Sequence, residues 1–133
     1  MLTRNSAVAR WGPPLLWMLA IFVVSATPGA QLPQFGTLDY FVKKAGHMLA
    51  YAVLAALLHR GLGHRQGQWA WAWLLAVAYA LLDEFHQSFV PGRHPSLIDV
   101  FLFDGVGAVI GLAARRALLH GGKHPPSAAG RAE

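Results

Sequence analysis

The chain contains no cysteine. That excludes a disulfide-stapled fold, a Cys-ligated zinc site and thiol catalysis. Charge is scarce as well. Only 13% of the 133 residues are Asp, Glu, Lys or Arg, against 55% apolar residues, and mean hydropathy is +0.39. A soluble domain of this size has much surface for its volume and needs polar residues to cover it. Disorder is excluded too, because it requires low hydrophobicity. No Gly-x-x-x-x-Gly-Lys, Gly-x-Ser-x-Gly or His-Glu-x-x-His occurs, so a P-loop, a nucleophile elbow and a zincin helix are all absent. The net charge of +5 reads as the basic loops of a membrane protein rather than a nucleic-acid footprint. No nucleic-acid partner is expected.

What is present is four apolar stretches: about Trp11 to Ala26, about Phe41 to Leu58, Trp69 to Leu82, and about Leu97 to Leu119. A spanning helix needs roughly 20 residues. The third stretch falls short unless it continues through Asp83-Glu84-Phe85-His86-Gln87, a segment with no Gly or Pro. The expectation is therefore an all-α polytopic protein with four transmembrane helices, occupying residues 1–120. A Gly/Pro/Ala/Ser-rich tail at 121–133 is expected to be disordered and cytoplasmic. Val24-Ser25-Ala26 after an apolar core also resembles a signal-peptide cleavage site. Cleavage there would leave three spans.

With four spans, eight of the eleven Lys and Arg fall on the side of the termini. Only Lys43, Lys44 and Arg93 fall on the other. Cytoplasmic loops carry the basic excess, so both termini are predicted inside. Asp39, Asp83, Glu84, Asp99 and Asp104 collect at or near the outer side, and the expected location is the bacterial inner (plasma) membrane, multi-pass.

Charge within a span is costly and marks a functional candidate. Lys43, His47 and Tyr51 share one helical face at i, i+4, i+8, with Lys44 beside them. Tyr79, Asp83 and Gln87 form a second stripe, next to Glu84. Asp83 stands about 21 Å along the axis from Trp69, and Asp104 about 12 Å from Ser96. Three polar stripes thus reach similar depth, and Arg93 sits on the tight turn between two of them. Plainer readings stand beside these. Lys43 and Lys44 can snorkel to head groups, Ser96 and Asp99 fit a capping box, and Gly107 with Gly111 fits close helix packing. Tyr79 reads as a packing residue, and His86, off the stripe, as surface-facing. Glu84 and His86 point away from each other on a helix, so no metal site and no cofactor are expected.

These residues together resemble the VanZ-like membrane proteins. The resemblance is carried by Ser25-Ala26-Thr27-Pro28-Gly29 with Leu32-Pro33, by Lys43-Lys44-Ala45-Gly46-His47-Met48-Leu49-Ala50-Tyr51, and by Asp83-Glu84-Phe85-His86-Gln87. Pro91-Gly92-Arg93, Ser96, Asp99, Gly107 and Gly111 continue it. Two positions depart: Ala50 stands where many members have Glu, and Asp104 follows Asp99 by five residues instead of four. The resemblance implies a small bacterial membrane protein of a family whose founding member is associated with resistance to the glycopeptide teicoplanin.

Three function classes remain open. One is a binding or envelope-modulating protein, with Lys44, His47, Tyr51, Asp83, Glu84, Gln87, Arg93, Asp99 and Asp104 as candidate ligand-binding residues. Its partners would be membrane lipid, an anionic lipid head group or a cell-wall precursor. The second is an intramembrane enzyme on a lipid-linked or phospholipid substrate, with His47 as general base and Glu84 as acid. The third is a structural assembly partner. A partly exposed cavity around His47 and Glu84 favours the first two; a closed, fully paired cluster favours the third.

Overall fold

The computed structural model describes residues 7–63 and 67–121. The tail beyond Gly121 lies outside them, as do Arg4, Arg65, Lys123 and Arg131. Four long helices make up the described chain: α1 (Ala7–Ala26), α2 (Asp39–Leu62), α3 (Gln68–Gln87) and α4 (Leu97–Gly121). No strand occurs among the described residues. Three of the helices, α1, α2 with the turn before it, and α4, are long and apolar enough to cross a membrane. At 20 residues α3 matches α1 in length but is less apolar, because it includes Asp83, Glu84, His86 and Gln87. As expected from the absence of Gly and Pro, it runs unbroken through those residues.

The helices alternate in direction. Arg10 near the start of α1 donates to the Gly61 carbonyl at the end of α2 at 2.7 Å, and Arg60 donates back to Ala9 at 3.2 Å. Tyr79 of α3 donates to the Met18 carbonyl of α1 at 2.7 Å, while Ser25 reaches Asp83, so α1 and α3 are parallel. α2 is the centre, packed against all three others and most extensively against α4. Small residues permit this. Ala72, Ala76 and Ala80 form a buried seam at i, i+4, i+8 on α3. A Cβ on Gly107 or Gly111 would run into the backbone of Met48 or Ala52, so α2 and α4 touch backbone to backbone, as small-x-x-x-small spacing allows.

Large apolar side chains cover the outside: Leu16, Phe41, Leu49, Phe85 and Leu118 are each more than 60% exposed. Such a surface suits a hydrocarbon surrounding rather than water. Indole and phenol groups cross between helices to backbone carbonyls. Trp17 Nε1 donates to Ala50 at 2.8 Å and Trp73 Nε1 to Gly105 at 3.1 Å. Arg10, Arg60 and Arg115 gather at one end of the bundle, with Arg115 Nε donating to His59 Nδ1 at 2.9 Å.

At the other end two loops are tied together. The Gly29 N–H donates to the Pro91 carbonyl at 3.0 Å. Gly92 takes a φ of +73°, a conformation open to glycine, and a Cβ on Gly29 would strike its backbone. This joint brings the α1–α2 connection against the α3–α4 turn and builds one wall of the site.

Candidate functional site

The deepest element is a buried carboxylate. Asp83 is 4% exposed. Its Oδ2 accepts from Ser25 Oγ at 2.8 Å, Gln87 Nε2 at 3.1 Å and Tyr51 OH at 3.3 Å. Gln87 also donates to Ser25 Oγ at 3.2 Å. The other carboxylate oxygen, Asp83 Oδ1, is buried with no hydrogen-bond partner among the described residues. Three helices therefore converge on one oxygen. The stripe geometry of α3 places Asp83 and Gln87 on the same face, one turn apart.

Gln87 lies between this cluster and a cavity of about 480 Å³. Lys44 and His47 of α2, Glu84 and Gln87 of α3, Arg93 of the turn, and Asp99 and Asp104 of α4 all line it. Tyr51 and Asp83 lie beneath. Of the nine candidate residues, seven thus line one cavity, and the other two, Tyr51 and Asp83, are joined to it through Gln87, which donates to Asp83.

His47 shares the cavity with Glu84, but its hydrogen bond goes to Asp104, with Nδ1 and Oδ1 3.2 Å apart. The cause is a π-helical stretch, Val100–Gly105, inside α4. An α-helix would turn residues five apart to different faces. The wider π turn, with its i→i+5 bonding, brings Asp99 and Asp104 to the same face of α2. There they meet Lys44 and His47, themselves i, i+3. Lys44 ion-pairs with Asp99 and stands over the rings of Tyr40 and Phe103. The five-residue spacing in the sequence was the visible trace of this insertion.

Glu84 Oε1 accepts the N–H of Ser96, at the start of α4. Ser96 also caps that helix, its Oγ accepting from Asp99 N at 3.4 Å; the reciprocal half of the expected capping box is absent, because the Ser96 N–H goes to Glu84 and the Asp99 carboxylate to Lys44. Lys43 does not simply snorkel: it pairs with Asp39 at 2.6 Å.

Arg93, on the tight turn, reaches backbone: its Nε donates to the Thr27 carbonyl at 3.1 Å and its Nη2 to the Val24 carbonyl at 2.6 Å. Carbonyls at and just past the end of α1 carry partial negative charge, which a cation at a helix C-terminus satisfies; Val24 O also accepts the Thr27 N–H at 3.2 Å. Among the described residues Arg93 has no carboxylate partner, and its Nη1 has no acceptor. Burial lowers its pKa, opposed by the fields of Asp83 and Glu84. His86 is likewise not surface-facing; its ring packs on Phe22 with centroids 4.6 Å apart.

Sequence reasoning missed Ser25. Its signals in the sequence are its place in the Ser25–Gly29 segment that carries the family resemblance and its position as a lone polar residue at the end of an apolar span. Nothing in the sequence pointed to Trp73 as the donor to the Gly105 carbonyl.

The model of the VanZ/LLP1 family matches residues 14–119, a range that takes in the cavity and the cluster beneath it. The chain belongs to the VanZ/LLP1 family. No curated protein and no solved structure matches it. Of the two departures noted in the sequence, one has a structural counterpart in this VanZ/LLP1 chain: Asp104 owes its place to the π turn. Nothing in the structure explains Ala50.

Proposed function

We propose that this VanZ/LLP1 protein crosses the bacterial inner membrane four times, with both termini in the cytoplasm, and that its cavity faces outward to hold the charged head of envelope material. The crossing of α3 is supported by its length, about 30 Å at 1.5 Å per residue, which equals the hydrocarbon thickness. The orientation is supported by the clustering of Arg10, Arg60 and Arg115 at the end opposite the cavity.

One observation carries the binding reading: Arg93 lines a 480 Å³ cavity with an unpaired guanidinium edge, while Lys43 and Lys44 in the same wall are already matched by carboxylates. A lipid-linked phosphate would satisfy that edge, since Arg presents its donors in a planar fork suited to phosphate. Membrane phospholipid and a lipid-linked cell-wall precursor share this chemistry. With the precursor as ligand, the protein would bear on glycopeptide susceptibility, teicoplanin included. Mass spectrometry of lipids co-purifying with the protein distinguishes the two. Anionic lipid retained by the wild type and lost from Arg93→Ala supports the reading. Zwitterionic lipid retained equally by both defeats it.

A second reading, an intramembrane enzyme, is favoured by the His47–Asp104 pair. A carboxylate on Nδ1 fixes the tautomer and leaves Nε2 to act as general base. Glu84, rather than orienting His47, would supply the acid. Turnover of phospholipid by wild type and its loss in Asp104→Asn would select this reading. A purely structural cluster is disfavoured because the cavity around His47 and Glu84 is open.

A further inference from the structure

A second cavity, of about 500 Å³, lies between α1 and α2. Its walls are largely apolar: Trp17, Ile21 and Val24 from α1 face Gly46, Ala50 and Val53 from α2. Val24 and Leu49 at its edge are 58% and 67% exposed, so the cleft opens sideways from the bundle. Four residues, Leu32, Lys43, His47 and Arg93, line both this cleft and the polar cavity. The two spaces therefore meet at a wall that carries the unpaired edge of Arg93.

We infer that the two cavities form one amphiphile site. The cleft holds a single hydrocarbon chain of an anionic lipid, and the polar cavity holds its phosphate head. The inference rests on the head-group reading above and names the class of ligand. Length supports it. From Lys43 to Val53 the cleft follows α2 for about 15 Å, half of the roughly 30 Å hydrocarbon core and so the depth of one leaflet. The Trp17–Ala50 hydrogen bond ties α1 to α2 within the cleft and holds its walls at a fixed separation. A chain leaving the bilayer for this cleft gains little hydrophobic energy, because lipid tails are as apolar as leucine. The cleft therefore orients the chain, while the head group decides selection.

Gly46 provides the test. A Cβ there meets nothing within 4 Å, so Gly46→Leu fills the cleft while leaving the helix contacts and the polar residues in place. Phosphatidylglycerol carrying a photoreactive diazirine in one acyl chain is incorporated into phosphatidylcholine vesicles with the full-length protein. Crosslinked peptides are then mapped. Crosslinks should concentrate on Ala20, Val24, Leu49 and Val53, and should exceed those from diazirine-labelled phosphatidylcholine. In Gly46→Leu they should fall by about fivefold or more, the lower end expected when an added side chain overfills the space that the acyl chain occupies.

Protection by water-soluble glycerol phosphate is measured in parallel as thermal stabilisation, and should be the same in wild type and Gly46→Leu. Crosslinks spread evenly over the outer faces of α1 and α3, or unchanged by Gly46→Leu, would overturn the chain site even if glycerol phosphate binds. Crosslinks lost in Gly46→Leu without any glycerol phosphate binding by the wild type would keep the chain site and remove the head-group reading. A Gly46→Trp variant repeats the test with a larger blocking group.

Discussion

Gly107→Ala should destabilise the protein, against the ordinary helix preference for alanine. In an open helix, replacing glycine by alanine gains about 0.5–1 kcal/mol. Gly107 is not open. A Cβ there would stand 2.8 Å from Met48 Cα, where ordinary contact begins at 3.4 Å. The obstacle is backbone and cannot rotate away, so α2 and α4 must part by about 1 Å, and overpacking of this kind costs roughly 1–3 kcal/mol. The effect reaches the site, because Met48 adjoins His47 and Gly107 follows Asp104 by three residues. Stretching the 3.2 Å His47–Asp104 contact by that amount takes it beyond hydrogen-bond range and leaves a buried carboxylate unpaired, for about another 1–3 kcal/mol. After subtracting the alanine gain, the expected net loss is roughly 1–5 kcal/mol. Gly46→Ala is the control: its Cβ meets nothing, so it should stabilise by about 0.5–1 kcal/mol. Unfolding by SDS titration in mild detergent, followed by tryptophan fluorescence, measures both. Equal stabilisation by the two substitutions would show that α2 and α4 are not in backbone contact and would refute the packing.

Ser25→Ala removes one of three donors to the Asp83 carboxylate and should cost about 1–3 kcal/mol in the same titration; a neutral result would mean that water reaches Asp83. Arg93→Lys should lose lipid retention nearly as fully as Arg93→Ala, with membrane insertion kept, because one ammonium cannot bridge the Val24 and Thr27 carbonyls and still present a free edge. Full rescue by lysine, read by mass spectrometry, would assign Arg93 to a simple surface anchor. Alkaline phosphatase fused after residue 133 should be inactive, as four crossings with a cytoplasmic N-terminus require; an active fusion would mean an odd number of crossings or the inverse orientation.

Residue order alone fixes where the helices lie and which of their faces carry polar groups. Helical period and rise are fixed by backbone geometry, so the spacing of Asp83 and Gln87, or of Lys43, His47 and Tyr51, places each stripe on its face and at its depth. The persistence of α3 through Asp83-Glu84 followed from the lack of any breaking residue, and the Ser96 cap from its spacing to Asp99. The choice of partner was decided only in the tertiary structure. Which stripe faces which depends on the rotation of each helix about its axis, and that is set by close contacts such as those of Gly107 and Gly111 with α2. The π turn then shifted Asp104 onto His47, leaving Glu84 to the Ser96 N–H. Arg93 went to the carbonyls at the end of α1 because the Gly29–Pro91 joint brings that helix end beside it. Ser25 completed the Asp83 cluster for the same reason: the parallel packing of α1 and α3, a long-range feature, aligns their ends.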